Sequence, residues 1–326
     1  MTNIIIPQPI AINPHRIHPR SKPGYVHLNV ADLEGQVTFY QQMLGLRLNW
    51  REGTSAGLGV DGKDLVRLTE TPHGQRYRGV TGVYHFAILF PNRRELARAI
   101  SRLFALRWPN SPTDHIMTKT TYLDDPEGNN IELYCESPED GVFMVKDGDI
   151  FVRHTDGRLS NGREPLDLEA LFSHLREDDA LDQPIPPEAR MGHFHLYVSD
   201  LNETRHFYHD LLGFDDMGMA FSFRMGMVSA GGYHHHIGFN TWQGEGALPP
   251  PSGSLGLRYF TFNLPNANEL SRLEERMRQV GISFEQRDDG LFVHDPSQNR
   301  LLLTTAGLAG NHKLSFVEQE IEIEGL

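Results

Sequence analysis

Between Thr113 and Glu132 the chain gathers an imidazole, a phenol and a carboxylate: His115, Tyr122 and Glu132. Side chains of those three types in one pocket can hold a metal and move protons beside it. Thr118 to Leu123 is rich in strand formers, Asp124-Asp125-Pro126-Glu127-Gly128-Asn129 is dense in turn formers, and Asn130 to Cys135 alternates polar and apolar residues. That pattern predicts a hairpin with Tyr122 and Glu132 close together on adjacent strands and His115 at the entrance of the first. Further imidazoles lie at His27, His85 and His195, each on an apolar run, and at His234-His235-His236. If the last run is a strand, alternation sends His235 to the face opposite His234 and His236, so at least one of the three faces inward. Each residue also has an ordinary reading, as a solvent-facing Glu, a satisfied core His or a Tyr with its hydroxyl bonded.

The elements that must position these residues show as an internal repeat. Gly24-Tyr25-Val26-His27-Leu28-Asn29-Val30-Ala31-Asp32-Leu33 matches Gly192-His193-Phe194-His195-Leu196-Tyr197-Val198-Ser199-Asp200-Leu201. Thr38-Phe39-Tyr40 with Leu44-Gly45-Leu46 returns as His206-Phe207-Tyr208 with Leu212-Gly213-Phe214, each Gly placed to end a helix. A second unit starts at Gly82-Val83-Tyr84-His85-Phe86-Ala87-Ile88-Leu89 and ends in the hairpin; its partner starts at Gly256 and ends in Asp295-Pro296-Ser297-Gln298-Asn299 followed by a strand. Four units of one plan result, each strand, helix, then strands.

A length of 326 residues points to two domains. The formal charge of −13 disfavours nucleic acid and anionic membrane as partners, leaving a small molecule. The single cysteine, Cys135, cannot close an intrachain disulfide. No apolar run reaches the roughly 20 residues that span a bilayer. Met1 to Ile12, with Pro7 and Pro9 and no basic start, does not read as a signal peptide, and the expected location is the cytoplasm.

The order His, spacer, Tyr, two residues, Asp-Pro, Gly, Glu in the hairpin resembles the signature of extradiol ring-cleaving dioxygenases, departing from it at Thr121, where that family prefers an aliphatic residue. The four units are similar to the vicinal oxygen chelate superfamily, which includes glyoxalase I, bleomycin-resistance proteins and extradiol dioxygenases. This resemblance covers about residues 22 to 306. It implies an α+β fold of four βαβββ modules paired into two half-open barrels. The expected division is a first pair of modules at 22–140, a connector at 141–188, a second pair at 189–306 and a tail at 307–326.

The resemblance also implies a metal held by two His and one carboxylate, a set that leaves three cis positions for a bidentate catecholate and oxygen. Fe(II) is the expected metal, with Mn(II) as second choice. Unit four carries Tyr259 and Leu302 where unit two has His85 and Glu132, so it cannot supply the set. If each half folds on its own, the ligands are His27, His85 and Glu132. If units two and three share a barrel, they are His85, Glu132 and His195, with the His run beside them. The second arrangement is preferred because it gathers every functional element of the family, although it leaves His27 without a role. By the same resemblance His235 serves the oxygen side and delivers a proton, while Tyr122 and His115 hydrogen-bond the substrate oxygens. The expected activity is extradiol cleavage of catechol or a substituted catechol by O2, in aromatic hydrocarbon catabolism, by a chain able to form a homo-oligomer. The alternatives are a glyoxalase-like metal-dependent lyase or isomerase, which would want a second Glu where the His run stands, and a non-catalytic small-molecule binding protein of the resistance type.

Overall fold

A computed structural model describes residues 15–146 and 149–305; the tail expected at 307–326 lies outside the described residues. The four units appear with one element order. Unit one is β1 (Lys22–Val30), α1 (Leu33–Gln42), β2 (Arg47–Glu52), β3 (Ser55–Val60) and β4 (Lys63–Glu70). Unit two is β5 (Gly82–Phe90), α2 (Arg93–Ala105), β6 (Ser111–Asp114), β7 (Thr118–Asp124) and β8 (Asn130–Glu136). An intervening stretch holds β9 (Gly141–Lys146), β10 (Asp149–His154), β11 (Leu159–Ser160), β12 (Glu164–Pro165) and a short α3 (Leu168–Phe172). Unit three is β13 (Arg190–Tyr197), α4 (Leu201–Arg205) widening into a π-helical turn over His206–Leu211, β14 (Asp215–Ala220), β15 (Met225–Ser229) and β16 (Ile237–Asn240). Unit four is β17 (Gly256–Leu264), α5 (Ala267–Gln279), β18 (Phe284–Arg287), β19 (Gly290–His294) and β20 (Arg300–Thr305).

The repeat is preserved because its start and stop signals are preserved. Each unit's helix is capped by Asp32, Asn92, Asp200 or Asn266, whose side chain accepts the N–H of the residue three positions on at 2.8 to 3.0 Å. The helical segments of units one and three stop before Gly45 and Gly213, at φ +73° and +89°, a region where an L side chain is strained.

The units do not pair in sequence order. The eight-stranded sheet runs β18-β19-β20-β17-β1-β4-β3-β2 and the nine-stranded sheet β12-β6-β7-β8-β5-β13-β16-β15-β14. Unit one therefore joins unit four through β1 and β17, and unit two joins unit three through β5 and β13, both antiparallel. The segments 22–140 and 189–306 each contribute one unit to each sheet, and 141–188 supplies an edge strand and a three-stranded sheet of its own. The two sheets share one apolar core, where Phe194 of β13 and Phe260 of β17 meet with ring centroids 4.8 Å apart. Alternation along β5 sends Phe86 and Ile88 into that core and leaves Ala87 and Leu89 in a separate small cluster with Tyr134 on the concave face.

Hydrogen bonds tie the units that the sheets leave apart. Asp125 accepts the N–H of Glu127 and Asn129 and the hydroxyl of Tyr40 at 3.1 Å, linking unit two to unit one. Asp295 repeats this with Ser297, Asn299 and Tyr208 at 3.2 Å, linking unit four to unit three. The four units thus close into a ring.

Candidate metal centre

The nine-stranded sheet places three strands side by side, β8, β5 and β13. In the parallel β5/β8 ladder Ala87 lies opposite Glu132, and in the antiparallel β5/β13 ladder the same Ala87 lies opposite His193. A methyl group between them leaves space for the two longer side chains to converge. His193 Nε2 donates to Glu132 Oε2 at 3.0 Å. His85, two residues before Ala87 and on the same face, brings its Nε2 to 3.2 Å from His193 Nε2 and 3.3 Å from Glu132 Oε2. All three are buried. The Thr120 hydroxyl on β7 lies 2.9 Å from Glu132 Oε1 and steadies the carboxylate from behind.

The structure brings His193, where His195 was expected, together with His85 and Glu132. Residues two apart on a strand share a face, so His193 and His195 both project into the pocket, and only register separates them. His195 pairs with His85, one step along the face, whereas His193 is level with Glu132. The ring of His195 lies 5.1 Å from that of His85, between Tyr84 and Trp242. Gly192 is what lets His193 sit as it does: a Cβ there would collide with the hydroxyl of Tyr134, whose ring packs 5.2 Å from His193. His27 lies on the other sheet, its Nε2 2.8 Å from the Thr69 hydroxyl, and the concave face near it is filled by Arg67, which donates to Asp64 and Tyr25.

The His run is not a strand. Tyr233 to His236 form bends ahead of β16, so the expected alternation does not apply. Both His234 and His235 line the cavity, with His235 4.2 Å from His193, while His236 turns away to take the Ala230 N–H on Nδ1 at 3.1 Å. On the opposite side His115 donates from Nδ1 to the Gly162 carbonyl. That fixes Nε2 of the neutral ring as an acceptor, and the Tyr122 hydroxyl donates to it at 2.8 Å. Among nearby aromatic residues Trp242 lines the cavity, while Phe239 and Phe262 are wholly core.

Electrostatics favour a cation at the convergence point. Burial alone would raise the Glu132 carboxyl, but His193, donating to it, and His85 hold it well below the usual range. Burial pushes His85 and His234 down to about 3, and His195 and His235 well below their ordinary value. These imidazoles are therefore neutral at pH 7, as ligands and proton acceptors must be. The Nδ1 atoms of His85, His193 and His235 and the Nε2 of His195 are buried without hydrogen-bond partners. Two buried imidazoles and a carboxylate kept ionised fit a divalent transition metal.

The cavity around them holds about 670 Å³. Its walls draw on parts that carried no sequence signal: Tyr84, Met225 and Met227 from the sheet, Phe223, and Phe143, Ile150, Val152 and Asn161 to Pro165 from the intervening stretch. The segment 141–188 thus closes one side of the pocket, its β12 pairing with β6.

The sequence profile of the Glyoxalase/Bleomycin resistance protein/Dioxygenase superfamily matches residues 22–133 and 190–302. A catechol-2,3-dioxygenase of Bacillus subtilis (strain 168) is 37% identical over 283 residues, covering 86% of this chain and 95% of that protein. A putative dioxygenase of B. subtilis subsp. subtilis str. 168 superposes with a TM-score of 0.57 at 13% identity, over 87% of this chain and 84% of the other. Glyoxalase I of Zea mays superposes with a TM-score of 0.51 at 13% identity, over 88% and 93%. Identities that low speak for the fold alone.

Proposed function

This chain belongs to the glyoxalase/bleomycin resistance protein/dioxygenase superfamily, and we propose that within it the protein is an extradiol ring-cleaving dioxygenase for catechols, with His85, Glu132 and His193 holding Fe(II). The observation that carries this reading is the convergence of those three side chains at the floor of a cavity whose walls bring further imidazoles and a phenol. Iron bound there supplies a place where both catechol oxygens and O2 can meet and exchange electrons.

The chain's own groups do the rest. Tyr122, whose phenol burial and then the neighbouring Glu132 keep protonated, turns its single O–H from His115 to a substrate oxygen when substrate enters. His115 stands behind it as proton acceptor, held in that role by its bond to Gly162. Across the pocket His235 and His234 take a proton from one side of the reaction and return it to the other, with His235, its ring 4.2 Å from that of His193, the nearer to the metal ligands. Tyr84, Phe223 and Trp242 offer faces for the aromatic ring and exclude water. A glyoxalase-like site would want a second ionised carboxylate at the floor. Of the cavity's two glutamates, Glu164 is held instead by Arg158 at 2.9 Å and His154 at 3.2 Å.

The test is oxygen uptake by anaerobically purified, iron-loaded protein. Consumption of O2 with catechols and a yellow ring-opened semialdehyde are expected. No uptake across several catechols, together with isomerisation of a hemithioacetal, would overturn the reading.

A further inference from the structure

The cavity wall contains a single Lys or Arg among the described residues, Arg163. Its backbone is firmly mounted. The Arg163 N–H donates to Asn161 Oδ1 at 3.0 Å, the preceding Gly162 is gripped at its carbonyl by His115, and the following Glu164 and Pro165 pair with Asp114 and Thr113. The guanidinium carbon lies 5.9 Å from the centroid of Phe223, another wall residue. Among the described residues Arg163 forms no ion pair, while Glu164 beside it is already engaged by Arg158 and His154.

A chain of net charge −13 repels anions at long range, but that field is screened beyond about 8 Å at physiological salt. Close to the wall the guanidinium dominates. A planar fork of donors lacking a carboxylate matches a planar carboxylate better than any neutral group. The cavity is also larger than a bare benzenediol fills, leaving space for a side chain. We propose that Arg163 determines specificity by binding the carboxylate of a catechol that carries an acidic side chain. This rests on the extradiol reading of the site and narrows its substrate class to anionic catechols.

The test separates binding from turnover. Anaerobic calorimetry on the iron-loaded protein compares 3,4-dihydroxybenzoate, 3,4-dihydroxyphenylacetate and 3-(3,4-dihydroxyphenyl)propionate, each against its neutral amide. At one or more chain lengths the acid should bind about 10-fold tighter than its amide, the size of a charge-assisted hydrogen bond. Arg163→Gln should erase that ratio and Arg163→Lys should keep part of it. Equal binding of every acid and amide, no binding of any of them, or a preference that survives Arg163→Gln would overturn the proposal. Oxygen uptake is then measured on the same preparations. An intact acid preference without any uptake would leave the Arg163 site standing and remove the dioxygenase reading instead.

Discussion

At the scale of single residues, the site turns on which of two histidines on one strand face is level with Glu132. His193 and His195 point the same way, and the difference between them is one step along the sheet. If His193 is the ligand, His193→Ala and Glu132→Ala should each lose iron on gel filtration, while His195→Ala and His27→Ala retain it. Stoichiometric iron in His193→Ala would contradict the site. Thr120→Val, which removes only the hydroxyl behind Glu132, should weaken metal affinity by about 10- to 100-fold in a chelator competition. The placing of Tyr122 opposite Glu132, with His115 ahead of the first strand, was legible in the sequence because a hairpin with a dense turn fixes its own register. His193 was not, because its partner strand comes from another unit and register between units leaves no local mark. The His run misled for a related reason: Gly231 and Gly232, at φ +68° and +73°, turn the chain where a strand would have alternated.

At the scale of elements, the flat step at Ala87 and the two aspartate turns matter most. Ala87 is wholly buried between His193 and Glu132. Ala87→Leu would fill the convergence point and should abolish iron retention while every ligand remains in place, as read by iron content beside an unchanged circular dichroism spectrum. Full iron content in that variant would show that the ligands meet elsewhere. The Asp295 turn yields a pH prediction. Burial raises its carboxyl to about 6 against an ordinary 3.8, despite the N–H groups and the Tyr208 hydroxyl it accepts. Because the folded value is the raised one, the associated stability is fully present below pH 3.8 and lost as pH climbs through about 6. Relative to wild type, Asp295→Asn should therefore gain about 2 kcal/mol between pH 4 and pH 7 in urea unfolding, since a tenfold change in proton affinity is worth about 1.4 kcal/mol. A pH-independent difference between the two proteins would show that Asp295 does not titrate in that window. These turns were legible as Asp-Pro and Asn signals; that each reaches into a neighbouring unit's helix was not, since a Tyr40 or Tyr208 hydroxyl has many possible acceptors.

At the scale of the whole molecule, four copies of one unit are arranged so that side-chain hydrogen bonds tie unit one to unit two and unit three to unit four, while the sheets join two with three and one with four. Repetition and unit boundaries could be read from the sequence, and so could the advantage of bringing unit two against unit three. The ring of contacts depends on the shared core and on β1 and β5 each needing a partner from the far half. Residues 1–140 alone would leave both strands as open edges. Expressed separately, 1–140 and 141–326 should each fail to unfold cooperatively, and mixing them during refolding should restore a single transition with bound iron. A fragment 1–140 that folds and holds iron by itself would contradict the arrangement. The most direct measurement is an anomalous difference map at the iron edge from crystals of the anaerobically loaded protein. One peak per chain is expected, bonded to Nε2 of His85, Nε2 of His193 and the Glu132 carboxylate. A peak bonded to His195 or His27, or no peak beside Glu132, would contradict it.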